Sequence, residues 1–90
     1  MNFSEALERI KQGELLKRSG WNGQDQYVFL VNGSQFKVNR PPLSDILAEG
    51  TEVQYRPHID MKYQDGSFGV WLASMGDLLA EDWEVLENNK

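Results

Sequence analysis

The apolar residues at the start of the chain, Phe3, Ala6, Leu7 and Ile10, fall at i, i+3, i+4 and i+7 and predict an amphipathic helix over about residues 3–12. Asn2 or Ser4 supplies its N-cap and Gly13 its stop. The period then shortens, and Leu15 to Arg18 reads as a short strand. Tyr27-Val28-Phe29-Leu30-Val31 is apolar on both faces, the pattern of a central strand covered on both sides. Asn32-Gly33 predicts a tight turn that folds this strand into a hairpin with Gln35-Phe36-Lys37-Val38. Pro41-Pro42 ends that strand, and Leu43, Ile46 and Leu47 predict a short helical turn closed by Gly50. Thr51, Val53 and Tyr55 alternate with Glu52, Gln54 and Arg56 as in a half-buried strand, which Pro57 interrupts.

The clearest hairpin lies further on. Ile59, Met61 and Tyr63 alternate with His58, Asp60 and Lys62, and Gln64-Asp65-Gly66 turns the chain into a partner strand at Ser67 to Trp71. Ser74 to Ala80 predicts a short helix or turn carrying Leu78 and Leu79 inward, and Trp83 and Val85 share one face of a last strand. Without repeats or linkers, these elements predict a single domain over residues 1–90. Its class is α+β, an N-terminal helix packed on a mainly antiparallel sheet of five or six short strands.

Composition adds constraints to that picture. Ninety residues, 40% hydrophobic and 26% charged, describe one globular domain. A chain this short buries only roughly 60% of its unfolded surface, so self-association would add to a thin stability margin. No cysteine is present, which excludes disulfides and thiolate metal sites. The first residues lack a basic segment leading into an apolar stretch, and no apolar run approaches the roughly 20 residues of a membrane span. The chain is therefore expected to be neither exported by a Sec-type signal nor membrane-spanning. A net charge of −5 argues against a broad duplex-binding face, yet leaves room for a small anion held by two or three local donors.

The residues do not suggest an enzyme. Asp60, Asp65, Asp77, Glu81 and Asp82 offer carboxylates, but the single histidine, His58, has no evident orienting partner. The serines lie in no nucleophile context, and there is no metal-ligand spacing and no glycine-rich phosphate loop. No catalytic residue, metal or cofactor is expected. Trp21 stands apart, in a polar turn among Ser19, Gly20, Asn22 and Gly23. Its indole either lines a ligand site together with Asn22 and Gly23, or folds back as a lid on the core; both can hold at once. Lys17 and Arg18 can place positive charge beside it. Trp71 ends the second hairpin beside Ser74 and Asp77, which can hydrogen-bond a sugar or a purine edge. Arg56 and His58 bracket Pro57 and either reach a phosphate or ribose or are simply exposed. For Trp83, a place in the core is the simpler reading.

Taken in order, a set of segments resembles the phage Thoeris anti-defence family of the second type. They are Asn2-Phe3-Ser4-Glu5-Ala6-Leu7 with Gly13, Gly20-Trp21-Asn22-Gly23, Tyr55-Arg56-Pro57-His58-Ile59-Asp60-Met61-Lys62, Asp65-Gly66, Trp71-Leu72-Ala73-Ser74, and Asp77 through Val85. Family members usually carry Val-Pro where this chain has Gly69-Val70, and a Gln near the position of Met75. The resemblance implies a homo-oligomer, a tetramer, in the cytoplasm of the bacterial host. It would sequester cyclic ADP-ribose isomers, or related cyclic nucleotides such as cyclic dinucleotides, without cleaving them. Trp21, Asn22, Gly23, Arg56, His58, Trp71, Ser74 and Asp77 would be its ligand-binding residues. A protein-protein inhibitor of a host defence effector, or a small hydrolase of the same signal, are the alternatives.

Overall fold

A computed structural model describes residues 1–22 and 25–87. The predicted helix, α1 (Phe3–Lys11), opens on a capping box. The Asn2 side chain accepts from the Glu5 N–H at 3.0 Å, and the Glu5 carboxylate accepts from the Asn2 N–H at 3.1 Å. Gly13, at φ +93°, lets the chain leave the helix. Ala6 and Ile10 on its inner face are fully buried.

Strands β1 (Leu15–Arg18), β2 (Tyr27–Val31), β5 (His58–Lys62), β6 (Phe68–Val70) and β7 (Trp83–Leu86) build an antiparallel sheet in the order β6-β5-β2-β1-β7. β2 is central, as its apolar run predicts. Strand alternation then puts Leu16, Val28, Met61 and Trp83 on the helix side, where they close the core with Ala6 and Ile10. The opposite side is less covered than predicted. Tyr27, Phe29 and Val31 are only half-buried, with Phe29 packing edge-on against Phe68 at 5.9 Å, because the one long helix is spent on the other face.

The hairpin predicted at Asn32-Gly33 does not form. β2 pairs with β1 and β5, whereas β3 (Ser34–Lys37) pairs with β4 (Glu52–Tyr55) in a separate two-stranded sheet. Gly33 takes no positive φ. Its value is space, because a Cβ there would collide with the Tyr55 carbonyl oxygen and press on Pro57, where the chain leaving β2 passes the end of β4. Between β3 and β4 lie a single 3-10 turn at Leu43–Asp45 and the residues leading to Gly50. The hairpin of β5 and β6 forms as expected, through a turn with Gly66 at φ +91°.

Helix α2 (Met75–Leu79) is one turn and a half, capped by Ser74. Leu78 and Leu79 were expected to point inward, but they are 42% and 74% exposed, while Asp77 is 8% exposed. A helix this short buries one side of a turn. Here that side is claimed by the charged partner of Asp77.

Candidate functional site

Three tryptophans that lie far apart in sequence meet around α2 and β7. Trp83 is 2% exposed and sits in the middle, with Phe3 at 5.5 Å, Trp21 at 5.4 Å and Trp71 at 5.8 Å between ring centroids. The two tryptophan contacts are edge-on, at 80° and 81°, the arrangement that the ring quadrupole favours. The Trp83 indole N–H donates to the Asp77 carbonyl oxygen at 2.9 Å. Trp83 is thus the core residue that its sequence position predicts.

Trp21 is held on its inner side and open on its outer one. Its indole N–H donates to Asp77 Oδ1 at 3.1 Å, and the same oxygen accepts from Arg18 Nη1 at 2.8 Å. Asp77 Oδ2 accepts from the Ser74 N–H at 3.1 Å, and Ser74 Oγ accepts from the Asp77 N–H at 3.0 Å. Arg18 Nε reaches Asp82 Oδ1 at 2.8 Å, and Asp82 Oδ2 takes the Gly20 N–H at 2.8 Å. A Cβ at Gly20 would stand 2.6 Å from that oxygen, so a larger residue has to push the Asp82 carboxylate off this N–H. One arginine and two aspartates therefore fix the angle of a tryptophan that sequence alone places in a loop.

The charges reinforce this geometry. Burial pushes the Asp77 carboxyl up, but hydrogen bonds from Arg18, Trp21 and Ser74 outweigh it and hold it below the usual carboxylate value. Hydrogen bonds from Arg18 and Gly20 likewise hold Asp82 low, and the two aspartates raise Arg18. A depressed carboxylate stabilises the fold fully above its ordinary value of about 4 and stops doing so as pH falls through its folded value. The urea midpoint is therefore expected to stay constant from neutrality to about pH 4 and to fall progressively below it. A urea midpoint that stays flat on acidification below about pH 4 would contradict this account of the clamp.

Trp21 lines a pocket of about 400 Å³ with Lys17, Arg18, Ser19, Asp25, Gln26 and Glu84. Among the described residues its walls are mostly polar, with two cations beside one aromatic ring. Lys17 is paired with Glu84 at 3.4 Å and Arg18 with its aspartates. Both keep additional N–H donors.

The eight residues singled out in sequence thus divide. Trp21 is at the pocket, Asn22 is exposed next to it, and Gly23 lies outside the described residues. Ser74 and Asp77 do not line the pocket and act behind Trp21 through the hydrogen bonds above. Trp71 bridges two regions, packing on Phe3 and Trp83 on one side and lining a second, apolar groove of about 510 Å³ on the other. His58 lines that groove too; its Nδ1 donates to the Arg56 carbonyl at 3.1 Å, and its Nε2 is 3.3 Å from Asp60 Oδ1. Arg56 is exposed just past the end of β4 and does not line the Trp21 pocket. Sequence reasoning missed Asp82 and gave Arg18 only a general electrostatic role. Their contacts span 64 and 59 residues and leave no local spacing to read.

Among the described residues, no group of three or more histidines and carboxylates is placed to hold a metal ion, and no helix is long and apolar enough to cross a membrane. Fold and site together define a small α+β domain built around an aromatic cluster, with one ring presented to a polar pocket. Comparison with known proteins gives the family. The family model for the Thoeris anti-defense 2-like domain matches residues 1–86. The chain is also 34% identical over 96 aligned positions to Thoeris anti-defense 2 of Bacillus phage SP01, covering 96% of this chain and 94% of that protein. The chain belongs to the Thoeris anti-defense 2-like family, and its role is that of a phage anti-defence protein.

Proposed function

We propose that this chain binds and sequesters a cyclic ADP-ribose-type immune signal without cleaving it, so that the host Thoeris effector is not activated. The observation that carries the reading is Trp21, an indole locked from behind by Asp77 and Trp83 and presented to a pocket with Lys17 and Arg18. A purine stacks on such a ring for about 1–3 kcal/mol, and a pyrophosphate finds donors beside it. Family membership supports the anti-defence part of the reading. Cyclic dinucleotides share the same chemistry and are the natural second ligands to try.

Affinity arithmetic favours a shared site. A ligand of about 35 non-hydrogen atoms at roughly −0.3 kcal/mol per atom reaches near −10 kcal/mol, or tens of nanomolar, when it is well enclosed. A pocket on the surface of a single ninety-residue domain encloses such a ligand poorly. The working assembly is therefore a homo-oligomer, a tetramer in the full form of the proposal, acting in the cytoplasm of the host, with the ligand between copies.

Native mass spectrometry with candidate cyclic nucleotides tests this directly. The expected result is a ligand-bound oligomer that releases intact ligand on denaturation. Ligand consumed beyond stoichiometry would replace the proposal with a hydrolase. Trp21→Ala is expected to leave the chain folded, at a cost of about 1–2 kcal/mol for one hydrogen bond and one edge-on contact. By isothermal titration it should weaken ligand binding at least tenfold, about 1.4 kcal/mol. A second reading, direct blocking of an effector protein, draws on exposed Leu72, Met75 and Leu79. It predicts effector capture with no nucleotide bound.

A further inference from the structure

One wall of the Trp21 pocket lies beyond the end of the sheet. The ladder between β2 and β5 stops at the pair Tyr27 and Lys62, so the backbone of Asp25 and Gln26, which line the pocket, runs on past the last paired residue of β2. Asp25 also stands at φ +62°, a left-handed conformation that a Cβ disfavours. A segment that is both unpaired with its neighbour strand and conformationally disfavoured needs an outside contact to keep one position.

Lys62 supplies that contact. It is the last residue of β5, and its side chain carries on where the backbone ladder stops, with Nζ donating to the Asp25 carbonyl oxygen at 3.1 Å. The ammonium stands 5.7 Å from the centroid of the Tyr27 ring, which attracts it, and Phe68 is the residue opposite Lys62 on β6. Lys62 does not line the Trp21 pocket. It lines a second cavity, of about 270 Å³, together with Leu15, Tyr27 and Leu86. Lys17, Asp25 and Gln26 line both cavities and so form the partition between them, which Lys62 grips from the side away from Trp21.

We infer that Lys62 is a positioning residue for the Trp21 pocket. By bonding the Asp25 carbonyl it sets where the wall of Asp25 and Gln26 stands relative to the indole, and with it the width open to a ligand. Asp77 fixes the ring and Lys62 fixes the wall that faces the same space. The effect on ligand binding rests on the proposed function, whereas the fixing of the wall is a property of the chain alone.

The test compares Lys62→Met, which keeps the aliphatic stem beside Tyr27 and removes the ammonium, with Lys62→Arg, which restores a donor. By nitrogen-15 relaxation, the wild-type amides of Asp25 and Gln26 are expected to be as ordered as β2, with order parameters of about 0.85. In Lys62→Met they should fall to about 0.6 or below, while β2, β5 and the urea midpoint stay as in wild type, and Lys62→Arg should restore them. Order parameters that Lys62→Met leaves unchanged overturn the inference. A lowered urea midpoint with loss of order throughout the sheet also overturns it, since Lys62 would then be a general support of the fold. Cyclic ADP-ribose, titrated calorimetrically, should bind Lys62→Met about three- to tenfold more weakly, the span of one net hydrogen bond, and Lys62→Arg as it binds wild type. An affinity that Lys62→Met leaves unchanged overturns the role in the pocket. The salt dependence of binding should be the same in all three proteins; a flatter dependence in Lys62→Met would make Lys62 a direct anion contact and overturn positioning. A wild type that binds no cyclic ADP-ribose, with the loss of order in Lys62→Met still observed, removes the proposed ligand and leaves the fixing of the wall established.

Discussion

Trp83→Ala is expected to remove about half or more of the stability of this chain. The side chain is 2% exposed and touches Phe3, Trp21 and Trp71 within 5.8 Å, so its removal empties the junction of helix, sheet and pocket. Truncating a buried tryptophan costs about 3–5 kcal/mol. A domain of this size has a total stability on the order of 5–10 kcal/mol, toward the low end of what proteins carry. Loss of the indole N–H bond to the Asp77 carbonyl leaves a further acceptor unpaired. Urea unfolding followed by far-UV circular dichroism should show a broad, early transition or none. Trp83→Phe keeps a ring in place and loses the hydrogen bond, so it should cost less than half as much. Equal losses in the two variants would mean that packing is not what Trp83 contributes.

The second large effect is expected at Asp77. Alanine there leaves Arg18 Nη1, the Trp21 indole N–H and the Ser74 N–H without their acceptor and removes the cap partner of α2. Breaking a buried ion pair from one side costs about 3–5 kcal/mol; with Arg18 partly solvated and still paired with Asp82, about 2–3 kcal/mol is expected. Asp77→Asn keeps an acceptor for Trp21 and the cap, and should lose about 1 kcal/mol. The measurement is the shift in urea midpoint at pH 7. The alanine variant should also free the Trp21 ring, so ligand affinity would fall although Asp77 does not line the pocket. An alanine variant as stable as wild type would return Asp77 to the role of a direct ligand contact.

Much of the fold was legible because its signals are local. The stripe of Phe3, Ala6, Leu7 and Ile10 with its Asn2 cap, and the alternation from His58 to Tyr63 before Asp65-Gly66, each encode their element within a few residues. Asn32-Gly33 misled because the turn propensity of the pair competes with a demand invisible in the sequence, the close passage of Tyr55 and Pro57. Leu78 and Leu79 misled for a related reason: in so short a helix, the pull of Arg18 on Asp77 decides which side is buried. Trp21 could be recognised as unusual from its polar neighbours. What holds it could not, since Arg18, Asp77 and Asp82 join it only through the packing of β1 against β7.

The network behind Trp21 also divides the pocket by how freely its parts can drift under selection. Arg18, Gly20, Trp21, Ser74, Asp77 and Asp82 form one connected hydrogen-bond set, so a change at any of them leaves a neighbour without its partner. Lys17, Gln26 and Glu84 line the same pocket without belonging to that set, Lys17 and Glu84 as an ion pair of their own. The rim can therefore vary independently of the tryptophan at its centre, with Lys17 and Glu84 exchanged as a pair.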